Sequence, residues 1–178
     1  ATISSQDETW QGMLRFQITE TPTHYRHSLD YKGPRLDLFS EEIAPDAETA
    51  TLAIDWIEGA RDVPFSLYVN LQSTHHPYPI PEEAPRPFAP HEPEHPYHFT
   101  SRDPRDHEEM LNRYDNALRY VDAQVGRIFD ALGERGLLGS TIFVVTADHG
   151  ENFFDHGMVT HGRSLFDTEA LVPLLFHY

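Results

Sequence analysis

Between residues 107 and 134, Leu111, Tyr114, Leu118, Val121, Val125, Ile128 and Leu132 recur at alternating spacings of three and four. That period lines them along one side of an α-helix, and Gly133 and Gly136 mark its end. Short apolar runs stand on either side, PFSLYVNL at 64–71 and TIFVVTA at 141–147, each with the length and the β-branched or aromatic content of a buried strand. A strand, a long helical connection and a second strand make a βαβ unit, because parallel neighbours need such a crossover. The expectation is an α/β domain around a largely parallel sheet with flanking helices.

Other elements fit that plan. VPLLFHY at 172–178 reads as a third buried strand. A helix over 46–60 is predicted by Asp46 as N-cap, Glu48 in the first turn, and Leu52, Trp56 and Ile57 at helical spacing. Residues 1–45 pattern weakly, with GMLRFQIT at 12–19 as a possible strand. Nine prolines between Pro77 and Pro104 exclude regular structure there, since each removes a backbone donor and restricts the residue before it. A loop of that length inside a compact domain is either functional or disordered, and its place after the first strand points to a substrate entrance.

With 29 acidic against 13 basic residues, the formal charge of −16 disfavours nucleic acid and anionic membrane surfaces, which are bound through basic patches. No run approaches the ~18 apolar residues of a membrane span and no signal segment opens the chain, so the composition is that of a soluble domain with its compartment left open. The absence of cysteine excludes disulfides and thiolate metal sites. Histidine is abundant at twelve, and its placement is informative.

In α/β sheets, ligands sit beyond the carboxyl ends of the strands. His75 and His76 follow the first apolar run, and TADHGENFFDHGMVTHGRSLFDTE at 146–169 follows the second, with His149, His156 and His161 each before a glycine. Asp148 and His149 are oxygen and nitrogen donors on adjacent residues after a rigid strand, which suits a divalent cation of the Zn, Mn, Ca or Mg kind. Such a cation supplies the positive charge that an acidic chain needs to bind an anion.

These motifs carry a resemblance. TIFVVTADHGENFFDHGMVTHGRSLFDTEALVPLLF, the Thr-His-x-Pro-Tyr loop of PFSLYVNLQSTHHPYPIP, and the intervening RYDNALRYVDAQVGRIFDALGERGLL together resemble the C-terminal part of the sulfatase family, in the alkaline phosphatase superfamily, over 46–178. Residues 1–45 remain unassigned, and the chain reads as a single partial domain, a fragment of a larger one. The resemblance implies an alkaline-phosphatase-like fold and a metal-dependent hydrolase of sulfate or phosphate esters. Asp148 and His149 then match the metal pair, and His75 the histidine that contacts the transferred group. His161 stands where many sulfatases carry lysine and where other hydrolases and phosphotransferases of the superfamily carry histidine, a group able to ligate metal, contact an oxyanion or protonate a leaving group. Glu151 and His156 are candidates for orienting those residues from behind. Asp167 and Glu169 read as a helical turn before the last strand.

The family's nucleophile, Cys or Ser in Cys/Ser-x-Pro-x-Arg, is not in this chain, and Thr74 and Thr160 lie in the wrong motifs to replace it. The expectation is that the parent domain is the enzyme, that the rest of the catalytic domain is this chain's partner, and that the isolated chain is inactive. One divalent ion is implied, calcium for a sulfatase, and manganese, zinc or magnesium for a phosphotransferase. The alternatives are a phosphoethanolamine or glycerophosphate transferase of the same superfamily, usually built with membrane helices ahead of the catalytic domain, and a non-catalytic binding domain of the sulfatase fold; the compartment is left open, with an extracytoplasmic or membrane-anchored full-length parent as the expectation.

Overall fold

The structure, a computed structural model, describes residues 1–6, 25–38, 41–59, 63–91 and 103–178. The strand expected at 12–19 lies outside the described residues. In chain order the elements are β1 (Thr2–Ser4), β2 (Tyr25–Arg26), β3 (Leu36–Leu38), β4 (Glu41–Ile43), α1 (Asp46–Gly59), β5 (Tyr68–Asn70), α2 (His107–Glu134), β6 (Phe143–Thr146), β7 (Asn152–Phe153), β8 (Val159–Thr160), α3 (Asp167–Ala170) and β9 (Leu174–His177).

Strand β1 lies between β2 and β5 and is parallel to both, so the hydrogen-bonded βαβ unit is β1–α1–β5. Its core is Ile3 from β1, Ala50, Ala53 and Ile57 from α1, and Ile128 and Leu132 from α2. Ile3 and Ile57 are fully buried, and each such side chain contributes about 1.5–3 kcal/mol. The edge of Trp56 meets Phe65 at a 5.3 Å centroid separation.

The two long helices pack together. Tyr120 of α2 accepts the first-turn Ala47 N–H through its hydroxyl at 3.1 Å, satisfying one of the donors a helix start leaves over. Arg127 donates to the Ala47 carbonyl and to Thr51 Oγ1. Helix α2 ends as its sequence predicts. Gly136 takes φ +67, and Leu137 N–H bonds the Leu132 carbonyl at 2.9 Å, closing the last turn.

Three expectations are corrected. The sheet is not one largely parallel sheet: β6 pairs antiparallel with β9 in a separate two-stranded ribbon, so α2 does not cross between strands of one sheet. An apolar run reveals that a strand exists, whereas its partner depends on contacts far away in sequence. Nor are the strands buried throughout, since β9 is exposed at every residue and β6 at every second one, because Phe129 of α2 covers one end of the ribbon and leaves the rest open. The buried face of α2 is also rotated from the predicted stripe. Met110, Ala117, Gln124 and Ala131 face inward with Ile128 and Leu132, while Leu118 is 47% exposed. Likewise Leu52 of α1 is exposed, and Thr49, Ala50, Ala53 and Ile57 are buried.

The described part of the proline-rich loop consists of turns held by side chains. Arg86 donates to the carbonyls of Ile80, Pro81, Glu82 and Ala84. Asn116 of α2 pairs with both the N–H and the carbonyl of Phe88, at 3.1 and 2.9 Å. A segment poor in N–H donors thus has its carbonyls satisfied by a guanidinium and an amide.

Candidate active site

The site is built from three segments. The first follows β5. Asp46, fully buried at the start of α1, accepts the N–H groups of Gln72 and Ser73 at 2.9 Å each and the Ser5 hydroxyl, tying the ends of β1 and β5 together. His75 N–H then bonds the Gln72 carbonyl, and the His75 ring is held through Nδ1 on the His76 carbonyl at 2.8 Å. A carbonyl only accepts, so the proton sits on Nδ1 and the lone pair of the neutral ring on Nε2.

The second segment follows β6. Asp148 Oδ1 accepts the His149 N–H at 3.0 Å, and His149 Nδ1 bonds the Gly150 carbonyl at 2.8 Å, which again directs the lone pair to Nε2. The third comes from the β7–β8 hairpin. Asn152 pairs with Thr160 in register, so Glu151 and His161 emerge side by side, with His161 Nδ1 3.1 Å from Glu151 Oε1.

Together these segments set three imidazoles in a row. The rings of His75 and His161 meet edge to face at 5.0 Å, and those of His161 and His149 lie 4.0 Å apart at 32°. Behind them Tyr78, 2% exposed among Met110, Ala117 and Val159, donates its hydroxyl to Glu151 Oε2 at 3.1 Å. Glu151 therefore accepts from Tyr78 on one oxygen and holds His161 on the other.

The environments push these groups apart in acidity. Burial lowers His75 below the ordinary imidazole value, partly opposed by its bond to the His76 carbonyl. The hydrogen bond to Glu151 raises His161. Burial, with the neighbouring Glu151 charge, raises Tyr78 and keeps it a donor. His76, buried beside Tyr78, is pulled down to about 4 by burial. At neutral pH the row pairs a neutral His75 with a His161 disposed to carry charge.

The sequence-predicted residues thus separate into two groups. His75, His149 and His161 come together with Glu151 as the carboxylate behind His161, and Asp148 stands beside His149. His156 is placed elsewhere, exposed at φ +52 and stacked on Phe166 at 3.9 Å. Tyr78, Asp46 and Glu169 are the supporting residues that sequence reading missed as site groups. For Asp46 and Tyr78 the partners lie 26 and 73 residues away, and no local pattern reveals them.

Among the described residues no group of three or more histidine, aspartate and glutamate side chains converges as a metal cage. Asp148 and His149 still fit as part of one. Asp148 Oδ1 and His149 Nε2 are 3.8 Å apart, a span that two ligands at about 2.0–2.6 Å from one ion can bridge. The Nδ1 bond of His149 fixes its tautomer as outer partners of metal-bound histidines do.

By its match to solved structures, the α/β fold is of the alkaline-phosphatase-like class. The chain belongs to the sulfatase family, whose family model matches residues 7–178. Iduronate 2-sulfatase of Homo sapiens is 41% identical over 64 residues, 36% of this chain and 12% of the relative. Phosphoethanolamine transferase EptA of Escherichia coli (strain K12) is 35% identical over 71 residues, 38% of this chain and 13% of the relative. Among solved structures, the phosphonate monoester hydrolase of Agrobacterium radiobacter aligns with a TM-score of 0.60 and 25% identity, over 74% of this chain and 32% of its own. An alkaline phosphatase superfamily protein from Vibrio parahaemolyticus aligns with a TM-score of 0.55 and 18% identity, over 98% of this chain and 37% of its own. The chain spans well under half of each of these proteins. Sulfatases typically bind a divalent cation, and among the described residues no helix is long and apolar enough to cross a membrane.

Proposed function

We propose that this chain carries the C-terminal half of the active site of a metal-dependent hydrolase of sulfate or phosphate esters, the nucleophile coming from polypeptide outside these residues. The observation that carries the reading is the row His75–His161–His149, with Nδ1 of each ring engaged by a carbonyl or carboxylate. Asp148 and His149 would hold the cation. When bound, it supplies positive charge against the nonbridging oxygens of the ester. His75 contacts the transferred group, and His161, with Glu151 behind it, is suited to pass a proton to the leaving oxygen.

A phosphoryl-type substrate is the second reading, and two observations favour it. Histidine rather than lysine stands at position 161, and the relatives include a phosphoethanolamine transferase and a phosphonate monoester hydrolase. The test is hydrolysis of p-nitrophenyl sulfate and p-nitrophenyl phosphate by the full-length polypeptide. Chelation should abolish turnover. His75→Ala and His161→Ala should each lower it by about 10²–10⁴-fold, the range expected for loss of acid–base groups. Turnover indifferent to both substitutions would end the reading. Residues 1–178 alone should show no turnover of either ester.

A further inference from the structure

We propose that Glu169 is a positioning residue that sets the spacing of His149 and His161 by clamping the two turns that carry them. This rests on the reading of those histidines as site groups given above.

Glu169 lies in α3, one turn of four residues. Its side chain, 6% exposed, accepts from five donors. Gly162 N–H lies at 2.7 Å, Arg163 N–H at 3.3 Å, Ser164 N–H at 3.5 Å, and the Ser164 hydroxyl and Asn152 Nδ2 at 2.5 Å each. These donors hold it well down in the carboxylate range, at about 2, with the Ser164 hydroxyl foremost. Three of the five are the backbone of the turn that begins at His161.

That turn needs holding. Thr160 takes φ +62 and Gly162 φ +83, so the residues on either side of His161 both have left-handed backbone. For a β-branched residue such as Thr160 this is an outlier that persists only where the surroundings over-determine it.

The other side of the clamp is main chain. The Glu169 carbonyl accepts Gly150 N–H at 2.8 Å, next to His149. A Cβ on Gly150 would lie 2.1 Å from the Thr168 carbonyl oxygen, so the glycine permits the α3 turn to sit directly against the Asp148–Gly150 segment. Asn152 closes the circuit. It donates to the Thr160 carbonyl at 3.0 Å and to Glu169, and its oxygen accepts the Thr168 hydroxyl at 2.6 Å. One residue thus grips the His149 turn through its carbonyl and the His161 turn through its carboxylate, with the two rings 4.0 Å apart. Glutamine could not replace it, because its NH₂ would face N–H donors where the second carboxylate oxygen now accepts.

The test uses the full-length polypeptide with isotope-labelled histidine, comparing wild type with Glu169→Gln, Gly150→Ala and the double variant. Each is read by ring ¹H–¹⁵N resonances and by kcat and KM on the better p-nitrophenyl ester. The expected result is that the His149 and His161 resonances move while that of His177 on β9 does not. kcat should fall by about 10²-fold with KM little changed, the cost of misplacing reacting groups by about 1 Å. The double variant should lose less than the product of the two single losses, because both break one clamp. Unchanged His149 and His161 resonances in a folded Glu169→Gln protein, whatever its melting temperature, would overturn the proposal. If that variant does not fold, Ser164→Ala removes one donor and carries the same test, with a smaller shift of both resonances expected and none overturning it. Should His149→Ala and His161→Ala leave turnover intact, the site reading fails, while the resonances still decide whether Glu169 sets the rings.

Discussion

His75 holds its ring proton on Nδ1 against the His76 carbonyl, and burial keeps the ring neutral. A neutral ring offers only a lone pair at Nε2, so His75 can donate to an anionic ester oxygen only after taking up a proton. Anion binding should therefore be accompanied by proton uptake near neutral pH and should weaken as pH rises. Calorimetry of sulfate binding, an anion that does not titrate near neutral pH, in buffers of different ionisation enthalpy reads this directly, and His75→Gln should abolish the buffer dependence. His76 has the opposite consequence. Its pKa falls from 6.5 in the unfolded chain to about 4 in the folded one, so its contribution to stability is present above 6.5 and is lost as pH falls towards 4. The loss is about 1.4 kcal/mol per pH unit across that window, and His76→Asn should flatten the acid limb of stability measured in urea between those values. Asp148, His149 and His161 were legible in the sequence because they follow an apolar run in quick succession. Glu169 was not, since its turn reads as an ordinary helix start until the five donors around its carboxylate are seen.

Helix α2 shows what periodicity can and cannot deliver. Its bounds, His107–Glu134, agree with the predicted 107–134, because a long amphipathic pattern with glycines at its end leaves little freedom. Its buried face does not follow the pattern, because Leu118 points away while Ala117 packs in the cluster around Tyr78. Leu118→Gln should change the stability of this chain by no more than about 0.5 kcal/mol, whereas Ile128→Ala should cost about 2–5 kcal/mol. Thermal and urea denaturation of the two variants compares them directly, and equal losses would mean that the predicted stripe is the buried one after all. The pairing of strands was the least legible feature. Strand β1 is three residues long, and its partner β5 begins 66 residues further on, so nothing local indicates that they share a sheet.

Across the whole molecule, the β6–β9 ribbon leaves Ile142, Val144, Leu174, Leu175 and Phe176 each more than half exposed. Val144 faces Phe176 across the ribbon with Leu174 on the same side of the pleat, and this exposed apolar face favours association, which the net charge of −16 opposes only at low salt. This 178-residue chain should self-associate as salt is raised, and Val144→Lys with Phe176→Lys, a cross-strand pair on that face, should keep it monomeric in sedimentation velocity. Sedimentation unchanged by salt in the parent chain would count against the patch.

Helix α2 serves both halves of this arrangement. Its C-terminal turns supply Ile128 and Leu132 to the core shared with β1 and α1, and its N-terminal turns supply Met110 and Ala117 to the packing around Tyr78. The wall behind the histidines and the interior of the fold are therefore the same rigid rod. Sequence drift has little room there, because a change that retunes the wall also disturbs the foundation. The exposed turn Asp155–Gly157 carries no such double duty, and a lineage would be free to rewrite it first.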